Sequence, residues 1–258
     1  MRDVGWPSLL CLAVLVAAVT GGCESVPITG RSQLQLVSGA QEVQMGAEAY
    51  KEILAKAKIS TDPVANGLVT RVGTRIAAAT GRSDLPWEFK VIDDPQTVNA
   101  FALPGGKVAV YTGILPITRD EAGLAVVLGH EVSHVMARHS AERISEQLGA
   151  ELVAKGIGAA IGLDPQITQA GAGLLVNTLL LPWGRKQESE ADHLGLIYMA
   201  KAGYDPHAAR DLWIRMAEAS KGRARPPEFL STHPSEETRV RQIEGWLPEA
   251  MRSYQPLK

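Results

Sequence analysis

The segment Leu124 to Ser140 reads LAVVLGHEVSHVMARHS and holds the residue types and spacing that could do chemistry. His130 and His134 lie four apart, so on a helix they project from one face, one turn above each other. That spacing lets two imidazole nitrogens reach one Zn2+ at about 2.0–2.1 Å. Glu131 stands beside the first of them. There it can take the proton of an attacking water and return it to a leaving amine without itself binding the metal. A catalytic zinc site needs three protein ligands and an open position, so two histidines are not sufficient. The neighbours Ala125, Val126, Val127, Leu128, Val132, Val135 and Met136 mark the helix as buried. Two imidazoles and a carboxylate in such a helix are costly to desolvate unless a metal or polar partners satisfy them.

The third ligand must come from elsewhere. A metzincin-type site would need Gly at 137 and His at 140, but these positions are Ala137 and Ser140, which excludes it. Downstream, RKQESEADH falls on a predicted helix that places Glu188 and Asp192 one turn apart. Glu188 can complete a two-histidine, one-carboxylate set. Asp192 can accept the outward N–H of a ligand histidine and so fix its tautomer. The bland reading of this run is a solvated charged face. Glu190 competes with Glu188, and it points about 200° around the helix from it. His139 is five residues past His134 and off its metal face; it, His193 and His207 read as structural or surface residues.

The elements that position these groups are mostly helical. Ser38 with Gln41 fits a capping box, with helical periodicity to about Lys58, and Asp62-Pro63 opens a second helix to about Thr80. Trp87 to Ile92 reads as a strand. Asn99 to Leu103 and Lys107 to Thr112 flank Pro104-Gly105-Gly106 as a hairpin. Thr118 and Glu121 suggest one long helix from about Arg119 to Gln147. Further helices follow from Arg185 to Ala202, from Asp205-Pro206 to Ser220, and from Ser235 to about residue 247. The apolar 149–181 stretch is interrupted by Asp164, Pro165, Gln166 and Gln169, so a buried helical hairpin or a lid is expected rather than a membrane span.

At 258 residues, the chain can bury a sizeable core. Its 26 basic and 28 acidic side chains argue against nucleic acid as a partner. The apolar run Leu9 to Val19 is too short to span a bilayer and reads as the core of a signal peptide over residues 1–22. Thr20-Gly21-Gly22 before Cys23 resembles a bacterial lipobox, in which Cys23 is lipidated and begins the mature chain. Glu24 then points to the outer membrane, facing the periplasm. Residues 23–37 are expected to be an extended tether, and 38–258 the globular domain. With Cys11 in the apolar run, the mature chain holds one cysteine and no internal disulfide.

GHEVSHVMARHSAER, ESEADHLG, the NAFALPGGKVAVYTGIL hairpin and STHPSEETR together resemble the zinc metallopeptidase family of HtpX, Oma and CAAX prenyl-protein endopeptidases. The likeness is greatest to its periplasmic lipoprotein branch, the BepA and LoiP type, and runs from about Pro27 to Leu247. It implies an α+β, mainly helical, zincin-like domain with a small sheet edging the active-site cleft and one Zn2+ per chain. In that family the glutamate four residues before the aspartate is the ligand, which selects Glu188. The family's His-Pro segment matches His233-Pro234, where the histidine approaches the metal to gate the site or stabilise the transition state, and Arg239 could support it. The strand carrying Asn99, Ala100, Phe101 and Ala102 would line the cleft and pair with an extended substrate backbone, reading main chain rather than sequence. The helical-repeat extension of BepA is not expected here. The implied activity is endopeptidase cleavage of unfolded or misassembled envelope proteins. The rival is a zinc-binding, chaperone-like lipoprotein whose site is held shut by the 149–181 segment or by His233.

Overall fold

The computed structural model describes residues 23–154, 175, 182–221, 227–233 and 238–257. The expected leader, most of the 149–181 stretch, and Pro234 and Ser235 lie outside the described residues.

The N-terminal strands β1 (Cys23–Ser25) and β2 (Ser32–Leu34) pair antiparallel. Helix α1 (Gly39–Lys56) starts at the Ser38–Gln41 capping box, and α2 (Pro63–Ala79) starts at Asp62, whose carboxylate accepts from the Val64 N–H. The second sheet has the order β3 (Glu88–Ile92), β5 (Lys107–Tyr111), β4 (Ala100–Leu103). β3 runs parallel to β5, and β4 antiparallel to it, so β4 is an edge strand. The β4–β5 turn puts Gly105 at φ +79° and Gly106 at φ +74°, the left-handed pair that a tight hairpin demands and that glycine adopts without strain.

Beyond the sheet, the short helix α3 (Leu115–Thr118) leads into α4 (Glu121–Met136), where Asp120 caps the Gly123 N–H at 2.8 Å. Every residue of α4 from Gly123 to Met136 is buried. It packs between the β4 side of the sheet, α2 and α6 (Arg185–Lys201). The α4–α6 crossing is close because Gly129 lies against Gly195: a Cβ on Gly195 would sit 3.0 Å from backbone atoms of Gly129 and His130. That contact sets how near Glu188 on α6 comes to the histidines on α4. The chain closes with α7 (Ala208–Ser220), α8 (Glu228–Thr232) and α9 (Arg239–Met251). The mainly helical architecture with small sheets is the expected one.

Two local expectations differ from what is observed. The single helix expected over 119–147 is two, α4 and α5 (His139–Ala154), separated by Arg138 at φ +54°. Arg138 is fixed by an ion pair of 2.7 Å to Glu42, a second to Glu24, and donation to the Val37 carbonyl at 3.0 Å. Residues 23–37, expected as an extended tether, fold over this same corner: Gln33 Nε2 donates to the Ala137 carbonyl at 2.9 Å, and the Leu36 N–H donates to Ser145 Oγ at 2.8 Å.

Candidate metal centre

α4 presents His130 and His134 on one face, with their Nε2 atoms 3.2 Å apart. α6 presents Glu188 from its first turn, with Oε1 3.4 Å from His134 Nε2 and Oε2 3.6 Å from His130 Nε2. His233, just past α8, places Nδ1 3.1 Å from His130 Nε2 and 2.9 Å from Glu188 Oε1. A tetrahedral ion bound at 2.0–2.1 Å spaces its donors by about 3.3 Å, and the observed separations bracket that value. All four side chains are buried. Glu131 Oε1, and Glu188 Oε2 despite lying 3.2 Å from Arg239 Nη1, have no hydrogen-bond partner among the described residues. Unsatisfied buried carboxylate oxygens converging with two imidazole lone pairs fit a cation, and the four residues form a group that could hold a metal ion.

The groups behind this cluster orient it. Asp192 Oδ1 lies 2.9 Å from His130 Nδ1 and also accepts from Arg239 Nη2 at 2.7 Å. An ionised carboxylate only accepts, so His130 carries hydrogen on Nδ1, which turns Nε2 into the cluster as the nitrogen that would meet a bound cation. Arg239 further reaches Asp192 Oδ2 at 2.7 Å, and its guanidinium lies 3.4 Å above the Trp213 ring. The structure places Asp192 and Arg239 behind the donor set.

Burial is the largest single influence on each of these groups, and at two of them the neighbouring charges together outweigh it. It raises Glu131 above the ordinary carboxylate value, against the opposing pull of His233 and His130. For Glu188 burial acts in the same direction, but His233 and His130 outweigh it and hold the carboxyl well below the usual range. Burial pushes His134 well below the usual imidazole value. His130 is driven down by burial but lifted to about 9 by Glu188 and Asp192.

Glu131 faces a cleft of about 120 Å³, lined among others by Phe101, Ala102, Tyr111, Trp183 and His233. β4 forms one wall. The outward N–H of Ala102 donates to Glu131 Oε2 at 3.2 Å, while that of Ala100 donates to Asn99 Oδ1 at 2.9 Å. Asn99 Nδ2 is held in turn by Glu228 at 3.1 Å. His233 Nε2 lies 3.2 Å from Glu131 Oε1. Asn99 to Ala102, Glu131 and His233 therefore share one cleft beside the donor set.

The model of peptidase family M48 matches residues 63–247. The chain belongs to peptidase family M48. It is similar to the mitochondrial metalloendopeptidase OMA1 of Schizosaccharomyces pombe, at 45% identity over 88% of this chain and 67% of the relative. The OMA1 of Saccharomyces cerevisiae is 32% identical over 93% of this chain and 76% of its own length. The beta-barrel assembly-enhancing protease of Escherichia coli is 30% identical over 89% of this chain, which spans 50% of that relative. The protein is a metallopeptidase of the M48 type.

Two residues of this M48 site escaped sequence reasoning. Trp183 stacks on His134 with ring centroids 4.4 Å apart, and the Arg143 guanidinium lies 3.9 Å from the centre of the Trp183 ring. No spacing rule connects a tryptophan that follows a long apolar stretch to a histidine on α4. His139 is fully buried, and its Nδ1 lies 2.8 Å from His134 Nδ1. On one continuous helix it would point elsewhere; the left-handed residue at Arg138 brings it back.

Proposed function

We propose that this M48 peptidase is a zinc-dependent endopeptidase that cleaves unfolded or misassembled proteins of the cell envelope. The observation that carries this reading is the position of Glu131: one carboxylate oxygen held by the edge strand, the other beside the donor set 3.2 Å from His233 Nε2, and the residue at the wall of a cleft. In this reading His130, His134 and Glu188 hold the ion, a ligand set that suits zinc. A bound Zn2+ supplies Lewis acidity, lowering the pKa of water and polarising the scissile carbonyl. Glu131, its pKa raised by burial, accepts the proton of the attacking water and passes it to the leaving amine. His233, within reach of Glu131, donates to the oxyanion as it develops. Asp192 and Arg239 keep His130 and Glu188 oriented.

The outward carbonyls of β4 lie beside Glu131 and offer main-chain pairing to an extended peptide, which selects for unfolded segments rather than for a sequence. The envelope location rests on the lipobox-like Thr20-Gly21-Gly22-Cys23 and on likeness to relatives named for beta-barrel assembly. No helix among the described residues is long and apolar enough to cross a membrane. Lipidation of Cys23 would supply the membrane attachment, with the domain in the periplasm at the outer membrane.

The test is casein cleavage by the purified full-length protein, comparing wild type, chelator-treated protein and Glu131→Gln. Cleavage by untreated wild type alone is expected, with zinc restoring the chelated sample. Cleavage that persists in Glu131→Gln would overturn the mechanism.

A further inference from the structure

Behind His134, on the side away from the cleft, lies a second chain of hydrogen bonds that the metal chemistry above does not use. His139 Nδ1 meets His134 Nδ1 at 2.8 Å, and His139 Nε2 meets Glu190 Oε2 at 3.0 Å. Glu190 is in turn gripped by the N-terminal hairpin: Arg31 Nε donates to Glu190 Oε2 at 2.8 Å, and Thr29 Oγ1 donates to Glu190 Oε1. Arg31 is braced by Glu142, which accepts from its Nη2 at 2.9 Å and from Gln187 at 2.8 Å, and by Gln33 Oε1 at 3.2 Å. Glu190 and Glu142 are buried, and His139 is inaccessible to solvent.

The protons along this chain have one consistent assignment. An ionised Glu190 only accepts, so His139 must carry hydrogen on Nε2. Neutral His139 then offers a lone pair at Nδ1, which can be satisfied only by hydrogen on His134 Nδ1. His134 is left with its lone pair on Nε2, the atom that faces His130 and Glu188. A carboxylate two imidazoles away thus fixes which nitrogen of His134 is free to bind a metal. A buried histidine serving only to fill space has no need of a hydrogen-bond partner at each ring nitrogen, a donor at Nδ1 and an acceptor at Nε2.

We propose that His139 and Glu190 are positioning residues for His134, and that the N-terminal hairpin, through Arg31 and Thr29, is a working part of the metal centre. The inference rests on His134 being a ligand, as read above. Its consequence is that metal affinity depends on residues 29–31, which are not among those lining the cleft beside Glu131 and which directly follow the segment that begins at Cys23. Any event that lifts the hairpin, such as a change at the membrane anchor, would loosen the ion without touching its ligands.

The experiment measures zinc affinity of the full-length protein by competition with a chromophoric chelator, alongside thermal unfolding of the chelator-treated form. The variants are His139→Leu, His139→Asn, Arg31→Met, the double variant Arg31→Met/His139→Leu, and His134→Ala. Losing an orienting partner of this kind weakens metal binding about 10–100-fold, and that loss is expected for His139→Leu. His139→Asn keeps an acceptor toward His134 and should recover most of the affinity. Arg31→Met should weaken zinc binding in the same direction. It should have no further effect in the His139→Leu background, because it acts through that residue. Unchanged zinc affinity in His139→Leu, with only the melting temperature lowered, would show a purely structural histidine and overturn the proposal. Independent, additive effects of Arg31→Met and His139→Leu would remove the hairpin from the relay. His134→Ala separates the two levels: wild-type zinc affinity there would overturn the ligand reading itself.

Discussion

Glu131 Oε2 accepts a hydrogen bond of 3.2 Å from the backbone N–H of Ala102, tying the residue beside the donor set to the edge strand of the sheet. The bond anchors one carboxylate oxygen and leaves the other on the cleft side, where its near neighbour is His233. Substitution by Gln keeps the shape and one acceptor but removes the base. Glu131→Gln should lower kcat by about 10²–10⁴-fold, the usual contribution of a positioned base. Bound zinc, measured by metal analysis, should stay at the wild-type level, since Glu131 is outside the proposed ligand set.

His233 is the donor-set member nearest Glu131, at 3.2 Å from its Oε1, and it also lines the cleft. If it stabilises developing charge, its removal acts on the transition state more than on the bound substrate. His233→Ala should reduce kcat by about 10²-fold with little change in KM. A rise in kcat would show instead that His233 closes the site.

Arg239 joins three parts of the centre: it pairs with Asp192 at 2.7 Å, lies 3.2 Å from Glu188 and covers Trp213. Its side chain is 4% exposed. Removing it leaves two buried carboxylates under-compensated, which typically costs about 3–5 kcal/mol. Arg239→Met should therefore lower the melting temperature clearly and weaken zinc binding, with Asp192→Asn affecting zinc more than stability.

Much of this was legible because the signals are local. The two histidines and Glu131 follow from helix periodicity within five residues, and Gly105-Gly106 declares its own turn through the φ values it allows. Ser38 and Asp62 announce α1 and α2 by capping chemistry that acts over three residues. The rest depends on tertiary forces. Nothing in the sequence around Arg138 announces a left-handed residue, because arginine enters that region only when distant partners hold it there; those partners are Glu24, Glu42 and the Val37 carbonyl. On a continuous helix His139 points away from His134 and Glu190 has no visible role; the turn at Arg138 brings His139 to both. The parallel pairing of β3 with β5 likewise joins two strands that β4 separates in sequence, and it is not written in any strand's own pattern.

Glu190 predicts a pH dependence. Burial would raise its pKa, but His139, Thr29 and Arg31 outweigh burial and hold it at about 2, below its ordinary value of 4.5. A carboxyl whose folded value is depressed contributes stability above its unfolded value and loses it as pH falls toward the folded one. The protein should therefore lose stability between about pH 4.5 and pH 2 in part through Glu190. Thermal melts of wild type and Glu190→Gln should differ most near neutral pH and converge as pH falls through that window. A constant difference across it would show that the carboxylate charge is not what Glu190 contributes.

Arg138 sets two effects against each other. Its backbone at φ +54° is unfavourable for a residue with a Cβ, by about 1–2 kcal/mol that glycine would recover. Its side chain, however, neutralises Glu42, which is only 5% exposed. Burial already raises the pKa of Glu42 with Arg138 pulling it down, so loss of the guanidinium leaves a carboxyl that must protonate or draw in water. Breaking a buried pair costs about 3–5 kcal/mol, and because Arg138 is itself 19% exposed the lower end applies. The ion pair therefore wins, and Arg138→Gly should destabilise the protein by about 1–2 kcal/mol in chemical denaturation. Adding Glu42→Gln removes the unpaired charge while keeping the permissive glycine. That double variant should regain most of the loss, and a double variant no more stable than Arg138→Gly would mean that the backbone turn, not the buried carboxylate, decides the stability of this corner.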